Sequence, residues 1–201
     1  YFYAVRANNM TRLIIDRKSL FNFEDYQSPK SIICVMNNTF STFEILEAAT
    51  DLLKLSGALE AFSFFNNTLN NLNGDGSILT LSSLAENKYF QFNNNTIQDN
   101  NGVSILAASG KEISSLNMSF NKISNSTFSN TLFTLDMTFQ NGNITFLKNS
   151  FESNILNVND DDLNTMSSFI EVSSKASNEK TFFIFEKSTF INNTDKNTRT
   201  F

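Results

Sequence analysis

Apolar side chains two positions apart recur along the chain as Ile33/Val35, Phe62/Phe64, Phe90/Phe92, Ile144/Phe146 and Phe183/Phe185. Alternation with period two in runs of β-branched and aromatic residues predicts strands. Each pair leads into a polar phrase that ends on an apolar anchor. The clearest copies are Asn37-Asn38-Thr39-Phe40, Asn66-Asn67-Thr68-Leu69, Asn94-Asn95-Thr96-Ile97 and Asn125-Ser126-Thr127-Phe128. Lys148-Asn149-Ser150-Phe151 and Lys187-Ser188-Thr189-Phe190 are weaker ones. The anchors lie 29, 28, 31, 23 and 39 residues apart. The apolar pair sits seven and five residues ahead of its anchor, except that Phe120 and Ile123 fill the places before Phe128 with one extra residue between them.

A further phrase, apolar-apolar-x-apolar, follows five of the anchors. It reads Ile45-Leu46-Glu47-Ala48, Ile78-Leu79-Thr80-Leu81, Ile105-Leu106-Ala107-Ala108, Leu132-Phe133-Thr134-Leu135 and Phe169-Ile170-Glu171-Val172. Repeats of this length, holding two or three short strands each, cannot bury a face alone, so successive copies must stack. Parallel stacking at about 4.8 Å puts Phe40, Leu69, Ile97, Phe128, Phe151 and Phe190 in one inward column. Val35, Phe64, Phe92, Ile123, Phe146 and Phe185 form another, with aromatic rings in offset stacks.

The predicted fold is all-β, a right-handed parallel β-helix (solenoid) of about six to seven coils. Residues 1–31 form an N-terminal strand or partial coil, 32–194 the repeats, and 195–201 the start of a further segment. The Asn-Asn step suits the bend between strands, because asparagine tolerates left-handed backbone and bonds locally. Loops are expected at 70–77, around Gly74-Asp75-Gly76, and at 156–166. Over 42–56 a helix competes: Ser41-Thr42-Phe43-Glu44 fits a capping box, and Ile45, Ala49, Leu52 and Leu53 share one helical face. A strand followed by a loop is the expectation there.

Polarity comes from short side chains more than from charge: 31 of the 201 residues are Asn, while 17% are charged. The net charge is −5 and the basic residues stand singly, so no nucleic acid is expected as a partner. No apolar run is long enough to span a membrane as a helix. The single cysteine, Cys34, excludes a disulfide framework and is expected to be a spare thiol in a strand.

The Phe-x-x-Asn spacing seen at Phe151 to Asn154, Phe190 to Asn193 and, with Ile as anchor, Ile97 to Asn100 carries a family likeness. Over about residues 32–194 the chain resembles the pectin-lyase-like superfamily of right-handed parallel β-helices. Within it, the chain looks most like the Asn-rich repeats of polymorphic outer-membrane and protist surface proteins. Such motifs specify fold more than function. The resemblance brings polysaccharide lyases and hydrolases into view, but the residues do not follow it there. The chain has no histidine, and its arginines (Arg6, Arg12, Arg17 and Arg199) lie outside 32–194. Glu171 and Glu186 are candidates for the carboxylate pair of a glycosidase, with solvated surface acids the expectation. Asp160-Asp161-Asp162 lacks a calcium-loop frame, and Ser119-to-Lys122 and Ser177-to-Lys180 lack the partners that give Ser-x-x-Lys meaning. No catalytic, cofactor-binding or metal residue is expected.

The strongest chemical signal is the N-glycosylation sequon, which occurs at Asn9, Asn37, Asn66, Asn94, Asn117, Asn125, Asn143 and Asn192. Asn37, Asn66, Asn94 and Asn125 take the same place in four successive phrases. Two readings stand level: a row of glycans along one edge, or an internal asparagine ladder bonding coil to coil. The sequence therefore predicts an extracellular or cell-surface structural or adhesive β-helix, a subunit or segment of a glycosylated filament or coat. A carbohydrate-binding or carbohydrate-cleaving β-helix is the alternative. Neither end reads as a cap, so each is expected to meet more of the same chain or a neighbouring subunit.

Overall fold

The computed structural model describes residues 2–6, 8–11, 14–15, 19–27, 31–45, 51–84, 87–129, 131–156, 169–173 and 182–195. Among them the regular structure is all strand, and every strand pairing is parallel. The chain is a parallel β-solenoid in which each rung visits four stacks in turn.

The first stack contains β1 (Phe2–Arg6), β5 (Ile32–Met36), β8 (Ala61–Phe65), β11 (Asn87–Asn93), the later halves of β14 (Ser104–Ser119) and β17 (Phe133–Leu147), and β21 (Phe182–Glu186). The second and third begin with β2 (Asn9–Thr11), β3 (Ile14–Ile15), β6 (Thr39–Ile45) and β9 (Thr68–Gly74). They continue through β12 (Thr96–Gln98), β13 (Asn101–Gly102), β15 (Lys122–Ser124) and β16 (Thr127–Phe128). They end with β18 (Ser150–Glu152), β19 (Ile155–Leu156), β22 (Thr189–Ile191) and β23 (Thr194–Asp195). The fourth holds β4 (Phe21–Gln27), β7 (Asp51–Ala58), β10 (Ser77–Leu84), the early halves of β14 and β17, and β20 (Ile170–Ser173).

Register corrects the expected columns in one rung. Ile97 pairs with Ile123, and Ile123 with Phe151. The anchor column is therefore Phe40, Leu69, Ile97, Ile123, Phe151 and Phe190, and Met118 takes the place expected for Ile123 between Phe92 and Phe146. Phe128 is fully buried but belongs to the next column, opposite Gly102 and Leu156. Phe190, expected inside, is half exposed because it lies in the last described rung. The apolar-apolar-x-apolar phrase also shifts. Leu53 pairs with Leu79 and with Phe21, so Leu52-Leu53-Lys54-Leu55 and Leu20-Phe21-Asn22-Phe23 are its first copies, not Ile45-Leu46-Glu47-Ala48. Residues 46–50 lie outside the described residues, while 51–58 is strand, not the competing helix. The loop expected at 70–77 shrinks to Asp75-Gly76 between β9 and β10.

Rings in register stack with their planes parallel. Phe64 lies 5.2 Å from Phe92, Phe146 4.7 Å from Phe185 and Phe151 4.5 Å from Phe190, all within 5° of parallel. Phe133 enters from the fourth stack and meets Phe92, Phe146 and Phe151 edge-on, at 74–88°. Both geometries suit the ring quadrupole, so the stacks and their cross-links reinforce the burial.

Candidate functional site

The polar phrase marks a corner, and its residues divide the work. The first residue turns the chain: Asn37, Asn66, Asn94, Phe120, Lys148 and Lys187 all have φ of 52–58°. A second corner follows, with Thr42, Asn71, Asp99, Asn125, Ser153 and Asn192 at 51–59°. Left-handed backbone costs L-residues about 1–2 kcal/mol, least for asparagine and aspartate. Yet Phe120 and Lys148 hold the same turn, so something other than the turning residue fixes it.

That something is the next residue, which points inward. Asn38, Asn67, Asn95, Asn121 and Asn149 are all buried and linked rung to rung. Asn67 Nδ2 donates to Asn95 Oδ1 at 3.2 Å and to the carbonyl of Val35 at 3.0 Å. The backbone N–H of Asn67 donates to Asn95 Oδ1 at 3.0 Å. Asn38, Asn95 and Asn121 repeat this pattern at separations of 29, 26 and 28 residues, and Asn149 passes its N–H to Ser188 Oγ 39 residues on. Each amide thus meets the demand of buried backbone for partners. A second ladder runs through Asn100, Ser126, Asn154 and Asn193. It is weaker at Ser126, whose short side chain leaves Asn100 Nδ2 buried without a partner.

The ladder that the sequence offered for the sequon asparagines falls instead on the residue that follows each of them. The ladder uses the second asparagine. The sequon asparagines Asn37, Asn66 and Asn94 are the first, and they are exposed at the corner. Asn125 does not share their row. It is exposed at the second corner with Asn192. Asn9 and Asn143 are exposed on β2 and β17, and Asn117 is half-buried on β14, where its Oδ1 accepts from Ser119 Oγ.

The acids do not converge. Glu171 pairs with Thr134 and Glu186 with Leu147, the neighbours of Phe133 and Phe146, whose rings meet in the core, so the two exposed carboxylates stand on the outer sides of different stacks. Glu171 accepts from Thr131 Oγ1 at 3.4 Å. Glu186 pairs at 2.8 Å with Lys187, which holds its carboxyl below the usual range. Asp51 is buried at the head of β7, and burial raises its pKa against hydrogen bonds from Thr80 and Ser77. Cys34 is buried in β5, where burial pushes its thiol pKa up. Asp160, Asp161 and Asp162 lie outside the described residues. Among the described residues no group of His, Cys, Asp and Glu could hold a metal ion, and no helix is long and apolar enough to cross a membrane.

The ladder residues were the ones that sequence reasoning under-used. Their signal was the second position of the phrase, which stays Asn at 121 and 149 while the first changes to Phe120 and Lys148. Comparison with protein-family models, curated proteins and solved structures returns no match.

Proposed function

We propose that the chain is a structural or adhesive segment of an extracellular, N-glycosylated surface filament or coat, built on the pectin-lyase-like plan and without catalytic activity. One observation carries the reading. At Asn37, Asn66 and Asn94 the sequon side chain is exposed while its neighbour holds the ladder, so a sugar adds to the corner without removing any internal bond. The amide ladder from Asn8 to Asn149 and the stacked rings support stiffness, which a rod needs. The placement of Glu171 and Glu186 on the outer sides of different stacks supports the absence of glycosidase chemistry. Glycopeptide mass spectrometry of protein from its native source tests the proposal. Sugar on at least two of the eight sequon asparagines is expected; eight unmodified sites would overturn it.

A carbohydrate-binding role draws on one feature, the ring of Tyr89. It is exposed on β11, two positions from Gln91, which Ser63 Oγ hydrogen-bonds at 3.3 Å. Titration with plant and microbial oligosaccharides, read by Tyr89 fluorescence against a Tyr89→Ala control, decides it.

A further inference from the structure

We propose that the sugar on Asn94 folds onto the exposed ring of Phe120, one rung further along the same corner, so that the chain binds its own glycan there. The inference deepens the glycoprotein reading and rests on it. Its basis is the register of the corner. The Asn94 N–H donates to the Ser119 carbonyl at 2.9 Å, while Asn93 and Thr96 pair with Ser119 and Lys122. Asn94 therefore stands opposite Phe120, about 4.8 Å away along the stack. Both residues hold the same left-handed turn, at φ 55° and 58°, and both are exposed.

Phenylalanine is out of place at this corner. The equivalent positions carry Asn37, Asn66, Asn94, Lys148 and Lys187, all polar. A bulky residue in left-handed backbone is a conformational outlier, and strain of this kind collects where ligands are clamped. Phe120 holds that turn with 48% of its surface exposed. On the rung beyond it, Lys148 places Nζ 5.2 Å from the ring centre. A cation thus braces the ring from the rung opposite to that of Asn94, and the side towards Asn94 is left for a sugar.

The chemistry fits. An aromatic face is negative at its centre and attracts the slightly positive C–H groups on the apolar face of N-acetylglucosamine. That sugar is joined directly to Asn94 Nδ2, which keeps it within reach of the neighbouring rung. Attachment forms the Nδ2–C1 bond and breaks the C1–O bond to the diphosphate of a polyprenyl-linked oligosaccharide donor. The diphosphate leaves with the electron pair, and Nδ2 gives up one proton. No internal bond is lost, because Asn95 carries the ladder at this rung. Asn37 and Asn66 are followed at the corner by Asn66 and Asn94, so of the three row members Asn94 alone faces an aromatic corner residue.

The test uses the whole 201-residue chain, secreted from a eukaryotic host that attaches N-glycans, with each glycan trimmed to its first N-acetylglucosamine. Glycopeptide mapping should find Asn94 occupied. In the proton spectrum the sugar at Asn94 is identified by its loss in Asn94→Gln. The C–H protons on its apolar face should lie upfield of those on the other sugars, under the ring current of Phe120, and should return in Phe120→Asn. The sugar should also raise the urea midpoint of the parent over Asn94→Gln, and Phe120→Asn should remove most of that gain. The same chains made without glycans in bacteria supply the baseline, and far-UV circular dichroism checks the fold. The shift in the parent needs no change at Phe120, so it decides the matter even if Phe120→Asn loses its strands. Unshifted protons on an occupied Asn94, an equal gain with and without the ring, or a bare Asn94 beside occupied sequons would each overturn the proposal and leave the glycoprotein reading standing. Eight unmodified sites would overturn both.

Discussion

Truncating one rung of the ladder separates the work of two adjacent asparagines. Asn95 is 1% exposed and takes part in four side-chain hydrogen bonds. In Asn95→Ala the Asn67 N–H loses its acceptor and has nowhere to turn, at about 1–3 kcal/mol for a stranded buried donor. Asn67 Nδ2, the Phe64 carbonyl and Asn121 Oδ1 each lose one bond but keep a route to another, at about 0.5–1 kcal/mol apiece. The sum is about 2.5–6 kcal/mol. Asn94, one residue earlier, is exposed with φ 55°. Asn94→Ala should cost about 1 kcal/mol for left-handed backbone, and Asn94→Gly close to nothing. Urea melts followed by circular dichroism read both as midpoint shifts at constant slope. The reasoning is refuted if Asn94→Ala and Asn95→Ala move the midpoint equally, or if Asn95→Ala costs under about 1 kcal/mol.

The gap in the second ladder predicts the opposite sign. Ser126→Asn restores an acceptor for Asn100 Nδ2 and should stabilise the chain by about 1 kcal/mol; a lower urea midpoint for this variant would refute that. Phe128→Ala empties a fully buried site and should cost about 3–5 kcal/mol in the same melts. Gly102→Ala places a Cβ 2.3 Å from the Gly74 carbonyl oxygen at φ +84°. A destabilisation of about 2 kcal/mol or more is expected, and a variant as stable as the parent would mean that the two backbones do not approach so closely.

The sequence revealed the solenoid because alternation and stacking are both written in apolar side chains. It misplaced Phe128 because the two corners of a rung use the same chemistry: a left-handed residue, a polar ladder residue, then a short strand. Asn125-Ser126-Thr127-Phe128 belongs to the second corner and imitates the first. Spacing held the remedy. Anchoring on Ile123 replaces steps of 31 and 23 residues by 26 and 28, the intervals that the ladder bonds span. Leu52-Leu53-Lys54-Leu55 was passed over because Ile45-Leu46-Glu47-Ala48 has the same local form, and only pairing partners far along the chain tell the two apart. The outward or inward aim of neighbouring asparagines was illegible for a similar reason. It depends on the sharp turn at Asn94 and its equivalents, which reverses the strand's simple alternation.

The ladder also makes the molecule a ruler marked in rungs, not residues. Successive rungs span between 26 and 39 residues, yet each advances the stack by one strand spacing, about 4.8 Å. The register on either side of the longest interval is the same as elsewhere, so added length does not change axial distance. Positions such as Asn37, Asn66 and Asn94 are therefore spaced by geometry and stay one mark apart however long the intervening loops become.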